Sequence, residues 1–204
     1  MSQQKIYLAS KSPRRRELLR QIGIAFEVLL LRDAPPRGPD VTELVLAGEQ
    51  PEDYVARVTQ EKAAAAWSAI MARHLPAHPV LAADTTVVID QTILGKPANQ
   101  EQALAMLSAL AGKTHLVFTS IAIQYHDQHL QCTQRSEVSF APLTDAEIRA
   151  YCATTEPYDK AGGYGIQGMA ARYISHINGS YSGIMGLPLF ETAELLAHLK
   201  KHKI

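Results

Sequence analysis

An α/β fold with a mixed central sheet and flanking helices is predicted by three features of the sequence. Short apolar, strand-like runs alternate with helix-length segments along the chain. The helical segments carry their own start and stop residues. One run, residues 80–90, is apolar on both faces, as a central strand must be. At 204 residues, 47% hydrophobic and 20% charged, the chain is long and apolar enough for one domain spanning 1–204.

The elements follow in order. Residues 6–9 read as a short strand. Ser12 as N-cap with Pro13 at the first helical position starts a helix to about residue 21, and Gly23 stops it. Residues 26–31 are strand-like. Pro35, Pro36, Pro39, Gly38 and Gly48 make residues 32–50 a loop. A helix over 52–73, rich in alanine, ends before Pro76 and Pro79. After the strand at 80–90 comes a loop with Gly95-Lys96-Pro97, then a helix over 99–110. Asn99 with Gln102 has the capping-box spacing there, and Gly112 closes the helix. Residues 114–125 and 130–140 form a hairpin around the polar tetrapeptide beginning at His126. Thr144 with Glu147 caps the next helix. A glycine-rich loop over 156–168, a strand over 172–177 and an amphipathic helix over 188–200 complete the chain.

Composition excludes several function classes. Twenty basic residues balance twenty acidic ones, so the broad basic face that nucleic-acid binding requires is missing. No apolar run approaches membrane-spanning length. Cys132 and Cys152 fit no metal or redox spacing, and the expectation is a cytoplasmic chain with both thiols reduced. The eight histidines are scattered, and Ser180 and Ser182 do not form a nucleophile elbow.

Three constellations carry chemistry. Ser10-Lys11-Ser12-Pro13-Arg14-Arg15-Arg16 lies where a strand passes into a helix. Cations in a first helical turn oppose the macrodipole, a placement that makes sense if a polyanion neutralises them. The competing reading is a solvated basic turn paired with Glu17 or Glu27. Asp84 interrupts an apolar strand; a carboxylate there is paired, protonated or metal-bound, or else caps a local turn. As a functional group it is a metal ligand or a general base for water. Lys96, fixed between Gly95 and Pro97, points to a phosphate contact, whereas Lys62 on an alanine-rich helix defaults to the surface. Residues 159–168 hold four glycines but match neither a P-loop nor a dinucleotide fingerprint.

Taken together these segments resemble the Maf family of nucleotide pyrophosphatases. The match runs in order through Leu8-Ala9-Ser10-Lys11-Ser12-Pro13-Arg14-Arg15, Tyr54-Val55-Ala56-Arg57, Lys62-Ala63, Ala83-Asp84-Thr85 and Gly95-Lys96-Pro97. It continues through Tyr158-Asp159-Lys160-Ala161-Gly162 to Gly168, then Ile177-Asn178-Gly179-Ser180-Tyr181 and Gly186-Leu187-Pro188. The resemblance implies two lobes around a cleft, as in inosine triphosphate pyrophosphatases. It implies hydrolysis of a nucleoside triphosphate between the α and β phosphates, aided by Mg²⁺ or Mn²⁺. By motif match Asp84 is the general base. Arg14, Thr85 and Gln167 correspond to base-selecting positions, and Ser12, Arg15, Lys62 and Lys96 to the polar shell of the phosphates. Those three base-selecting residues are similar to the branch that prefers dTTP and UTP; the other branch prefers 7-methyl-GTP. Physically, a glutamine amide can both accept from N3–H and donate to a carbonyl of uracil or thymine. Many members carry a metal-binding glutamate after the second strand. Here extra residues follow Arg32, and Glu43 stands as the equivalent, a second metal ligand beside Asp84. A homodimer is a family-based expectation. Two rival readings stand beside the dTTP and UTP one: the same hydrolysis acting on 7-methyl-GTP or another modified nucleotide, and a non-catalytic nucleotide sensor acting on cell division.

Overall fold

A computed structural model describes residues 5–32 and 38–201. Part of the expected loop, residues 33–37, lies outside the described residues. The strands are β1 (Ile6–Ala9), β2 (Phe26–Val28), β3 (Val80–Ile89), β4 (Thr92–Leu94), β5 (Thr114–Tyr125), β6 (Gln128–Phe140) and β7 (Ile174–Asn178). The helices are α1 (Pro13–Gln21), α2 (Pro51–Ala72), α3 (Gln100–Leu110), α4 (Asp145–Cys152), α5 (Tyr181–Ile184) and α6 (Leu189–Lys201). The strand order is β2-β1-β3-β5-β6-β7, with β4 paired to β3 off this path. Pairing is parallel for β1 with β2 and β3, and antiparallel for β3 with β4 and β6 with β7, so the sheet is mixed. This is the α/β class with a mixed sheet and helices that the alternation predicts. No described helix is long and apolar enough to cross a membrane.

The chain divides into two compact units. The first comprises residues 1–84, 119–133 and 186–204; the second comprises 85–118 and 134–185. In the first, Tyr7, Ala9, Val80, Ala82 and Ala122 from the strands pack with Ala63, Ala66 and Ile70 of α2. Small alanines on that face let the long helix lie close to the strands. In the second, Val87, Leu107, Leu110, Val138, Phe140, Tyr151 and Tyr164 share one core.

The caps behave as their chemistry requires. Ser12 Oγ accepts from the Arg15 N–H at 3.4 Å, and Pro13 occupies the first helical position. Thr144 and Glu147 form a reciprocal capping box. Asn99 accepts from the Gln102 N–H at 2.9 Å, but Gln102 returns its own bond to the Ala98 N–H, one residue upstream of a true box.

Several boundaries differ from the sequence expectation. Strand β2 stops at Val28 instead of residue 31. Strand β4 was not expected: Asp90 and Gln91 both take positive φ (49° and 64°), turning the chain so that residues 92–94 pair back on β3. Asp90 suits the first position of such a tight turn, but the second normally takes glycine and here holds Gln91. The β5–β6 turn is shorter than expected, so β6 starts at Gln128. A 3-10 turn over Met169–Tyr173 takes up Arg172, so β7 begins at Ile174. The short helix α5 was also not expected.

Candidate active site

The apolar strand β3 opens at its middle: four buried residues precede Asp84 and Thr85, four follow, and these two alone are half-buried. The Asp84 carboxylate, with 14% of its side chain exposed, faces Lys62 from α2. Lys62 Nζ donates to Asp84 Oδ1 at 2.7 Å and lies 2.7 Å from Glu43 Oε1. Its side chain is also only 14% exposed. The surface default expected for Lys62 therefore gives way to an ammonium held between two carboxylates. Its long stem reaches past the alanines of α2 while the charge finds partners at the strand, the geometry a buried cation requires.

The loop that carries Glu43 is fastened to α2 by side chains spaced along one helix face. The Tyr54 hydroxyl donates to the Glu43 carbonyl at 3.2 Å. Arg57 donates to Glu49 through Nε at 2.6 Å and Nη2 at 2.9 Å, to the Leu44 carbonyl at 2.9 Å and to Glu61 at 3.1 Å. Burial, then the charges of Asp84 and Glu43, push the Tyr54 phenol up to about 12, so it stays a neutral donor. The fork of Arg57 holds the Glu49 carboxyl down at about 2. Tyr54 and Arg57 belong to the matched motif, but sequence reasoning gave them no role. Their i, i+3 spacing on α2 was the available signal.

The basic turn before α1 is organised from within. Ser10 Oγ accepts from the Ser12 N–H and from Arg15 Nη1, both at 3.2 Å. Arg15 Nε donates to the Gly186 carbonyl at 2.7 Å. Burial is the main influence lowering the Arg15 pKa; Asp84 and Glu43 raise it and Arg14 lowers it further. The Arg15 guanidinium is thus a positioned charge within the field of both carboxylates. Arg16 turns back on its own backbone, donating to the Ser12 and Lys11 carbonyls. Glu27, one suggested partner for this cluster, pairs with Lys5. Ser12, Arg15, Lys62, Glu43 and Asp84 therefore all belong to the first unit, with Arg14 in the field of Arg15.

The second unit holds the remaining candidates. Thr85 follows Asp84 in the chain. Lys96 is exposed on a loop pinned by the Gly162 N–H donating to the Gly95 carbonyl at 3.0 Å. The glycine-rich segment is built from 3-10 turns at Glu156–Asp159 and Ala161–Gly163. Gln167 is exposed at a tight turn closed by the Gly168 N–H to the Gly165 carbonyl at 3.0 Å.

The sequence profile described as Maf-like protein matches residues 5–199. This chain belongs to the Maf family. A Maf relative from Nitrosomonas europaea, described as a dTTP/UTP pyrophosphatase, is 51% identical over 191 residues, covering 94% of this chain and 92% of that one. One from Aromatoleum aromaticum with the same description is 53% identical over 195 residues, 95% of each chain. One from Bordetella avium is 51% identical over 192 residues, 94% of each. Among solved structures, the Staphylococcus aureus Ham1 protein aligns with a TM-score of 0.40 at 16% identity, over 67% of this chain and 72% of that one. That likeness is too loose to bear on the Maf site.

Family resemblance also implies a divalent metal, and the donors can be tested against it. No group of three or more His, Cys, Asp or Glu side chains gathers among the described residues. The site offers two carboxylates, Asp84 and Glu43, converging on one cation. Mg²⁺ and Mn²⁺ favour oxygen donors, and Mg²⁺ typically takes one or two carboxylates with the rest from phosphate and water. The donor set fits an ion arriving with a triphosphate, not a closed protein cage.

Proposed function

We propose that the chain hydrolyses nucleoside triphosphates, with dTTP and UTP favoured, to the monophosphate and pyrophosphate. The observation that carries this reading is the Lys62 ammonium bridging Asp84 and Glu43 in the field of the half-buried Arg15. A paired carboxylate site beside a helix N-terminus capped by Ser12 suits a polyanion and a water nucleophile. The 51–53% identity to relatives described as dTTP/UTP pyrophosphatases supports the choice of substrate.

In this mechanism Asp84 accepts a proton from water as the water oxygen bonds to the α phosphorus. The bond from that phosphorus to the α–β bridging oxygen breaks, and its electron pair leaves with pyrophosphate. Lys62 holds Asp84 and Glu43 in register. Ser12, Arg14 and Arg15 bind phosphate oxygens at the start of α1. A divalent cation held by Asp84 and Glu43 would supply charge neutralisation on the phosphates. On the motif match, Lys96 is assigned to phosphate, and Thr85 and Gln167 to the base. Cytoplasmic placement suits the two unpaired cysteines.

The test is pyrophosphate release from dTTP, UTP, CTP, GTP, ATP and 7-methyl-GTP, with Mg²⁺, with Mn²⁺ and with chelator, for the native chain and Asp84→Asn. The expected result is metal-dependent release strongest for dTTP and UTP, falling about 10²- to 10⁴-fold in Asp84→Asn. Near-normal turnover in that variant sinks the base assignment. Preference for 7-methyl-GTP overturns the substrate choice, and nucleotide-stabilised melting without any release favours a sensor.

A further inference from the structure

The turn that carries Gln167 is anchored at its C-terminal end by a pair of side chains, the buried Tyr151 and the half-buried Glu156. Tyr151, on α4, is 1% exposed. Its hydroxyl donates to Glu156 Oε1 at 3.0 Å. At that end, Glu156 Oε2 accepts from the Met169 N–H at 2.8 Å, and Oε1 accepts from the Ala170 N–H at 3.4 Å. The Gly168 N–H to Gly165 carbonyl bond closes the turn immediately before these anchors.

The glycines on either side of Gln167 lie close against the same arrangement. A Cβ on Gly168 would overlap the Glu156 carboxylate. A Cβ on Gly165 would stand 2.8 Å from Lys160 Cε, whose amine donates to the Glu156 carbonyl at 2.6 Å and to Asp159 Oδ1 at 2.5 Å. Gln167 itself is exposed, so nothing in its own packing would hold it still. Its backbone is fixed from beneath instead. A carboxylate accepting two N–H bonds and a phenol proton is a rigid anchor, since losing any one leaves a polar group unpaired.

We propose that Tyr151 and Glu156 are positioning residues for nucleobase selection, fixing the turn from which Gln167 meets the base. This rests on the proposed function and on Gln167 as a base contact. A glutamine amide distinguishes uracil from cytosine only if its orientation is set, because a freely rotating amide can present either its donor or its acceptor to either base.

The test measures kcat/KM for UTP and CTP in the native chain, Tyr151→Phe, Gln167→Ala and the double variant. Tyr151→Phe keeps the buried ring and removes only the hydroxyl. The UTP-to-CTP ratio is expected to fall by roughly three- to tenfold in Tyr151→Phe, on the scale of one hydrogen bond. Gln167→Ala should lower it at least as far, and adding Tyr151→Phe to Gln167→Ala should change it no further. Gly168→Ala, which keeps every polar group but displaces the carboxylate, should reproduce the loss. An unchanged ratio in both Tyr151→Phe and Gly168→Ala, with a collapsed ratio in Gln167→Ala, overturns the positioning role while leaving the proposed function intact. A ratio insensitive to Gln167→Ala overturns the base contact and with it the positioning role. Absence of turnover in the native chain overturns the proposed function itself.

Discussion

His115 carries a buried imidazole that the chemistry does not use. It is 2% exposed; Nε2 lies 2.7 Å from the Tyr164 hydroxyl, and Nδ1 has no hydrogen-bond partner among the described residues. Burial pushes its pKa down to about 4 from 6.5. The folded state therefore holds a neutral ring across a range in which the unfolded chain takes up a proton. The stability due to this neutrality is complete above pH 6.5 and is lost as pH falls towards 4. Carboxylates held low, such as Glu49 at about 2, lose their contribution only below their unfolded value of 4.5. Between 6.5 and 4.5 the effect of His115 is thus separable, amounting to about 2 kcal/mol by pH 5. Urea unfolding at pH 7 and pH 5 should show that loss in the native chain and a much smaller one in His115→Gln. Equal losses would contradict the assignment. Residue by residue, Asp84 was legible because a carboxylate in an apolar strand is anomalous in any context. Lys62 was not, because a lysine among alanines on a helix looks solvated until the facing carboxylates are known.

At the scale of elements, helix starts were the most legible feature, since Ser12, Asn99 and Thr144 act on backbone within three residues of themselves. Strand β4 was illegible because its turn uses Asp90 and Gln91 in a conformation their sequence does not advertise. The glycine-rich segment was legible as a place of close approach, but its 3-10 turns were not. At Gly162, φ is +69° and an added Cβ would lie 2.8–3.1 Å from the Val87 side chain. Both the backbone conformation and the contact exclude a side chain. Gly162→Ala should destabilise the fold by about 2–4 kcal/mol, combining left-handed strain with overpacking. A shift in the urea midpoint equivalent to less than about 0.5 kcal/mol would show that the segment yields more easily than its packing implies.

For the whole molecule, the α/β class followed from alternation, whereas the strand order β2-β1-β3-β5-β6-β7 did not. Periodicity reports which face of a strand is buried and says nothing of which distant strand pairs with it. The convergence of Glu43 and Asp84 on Lys62 was hidden for the same reason: it is a product of α2 lying along the strands, with the preceding loop tied down by Tyr54 and Arg57. Family resemblance supplied these residues in chain order; the structure supplies the ion pairs that give three of them a shared chemistry. In the proposed reaction, water attacks the α phosphorus of the nucleotide. Hydrolysis of dTTP in oxygen-18 water, with mass analysis of both products, tests it most directly. Label in the monophosphate and none in pyrophosphate is the predicted result; label in pyrophosphate would place the attack at the β phosphorus and contradict the account.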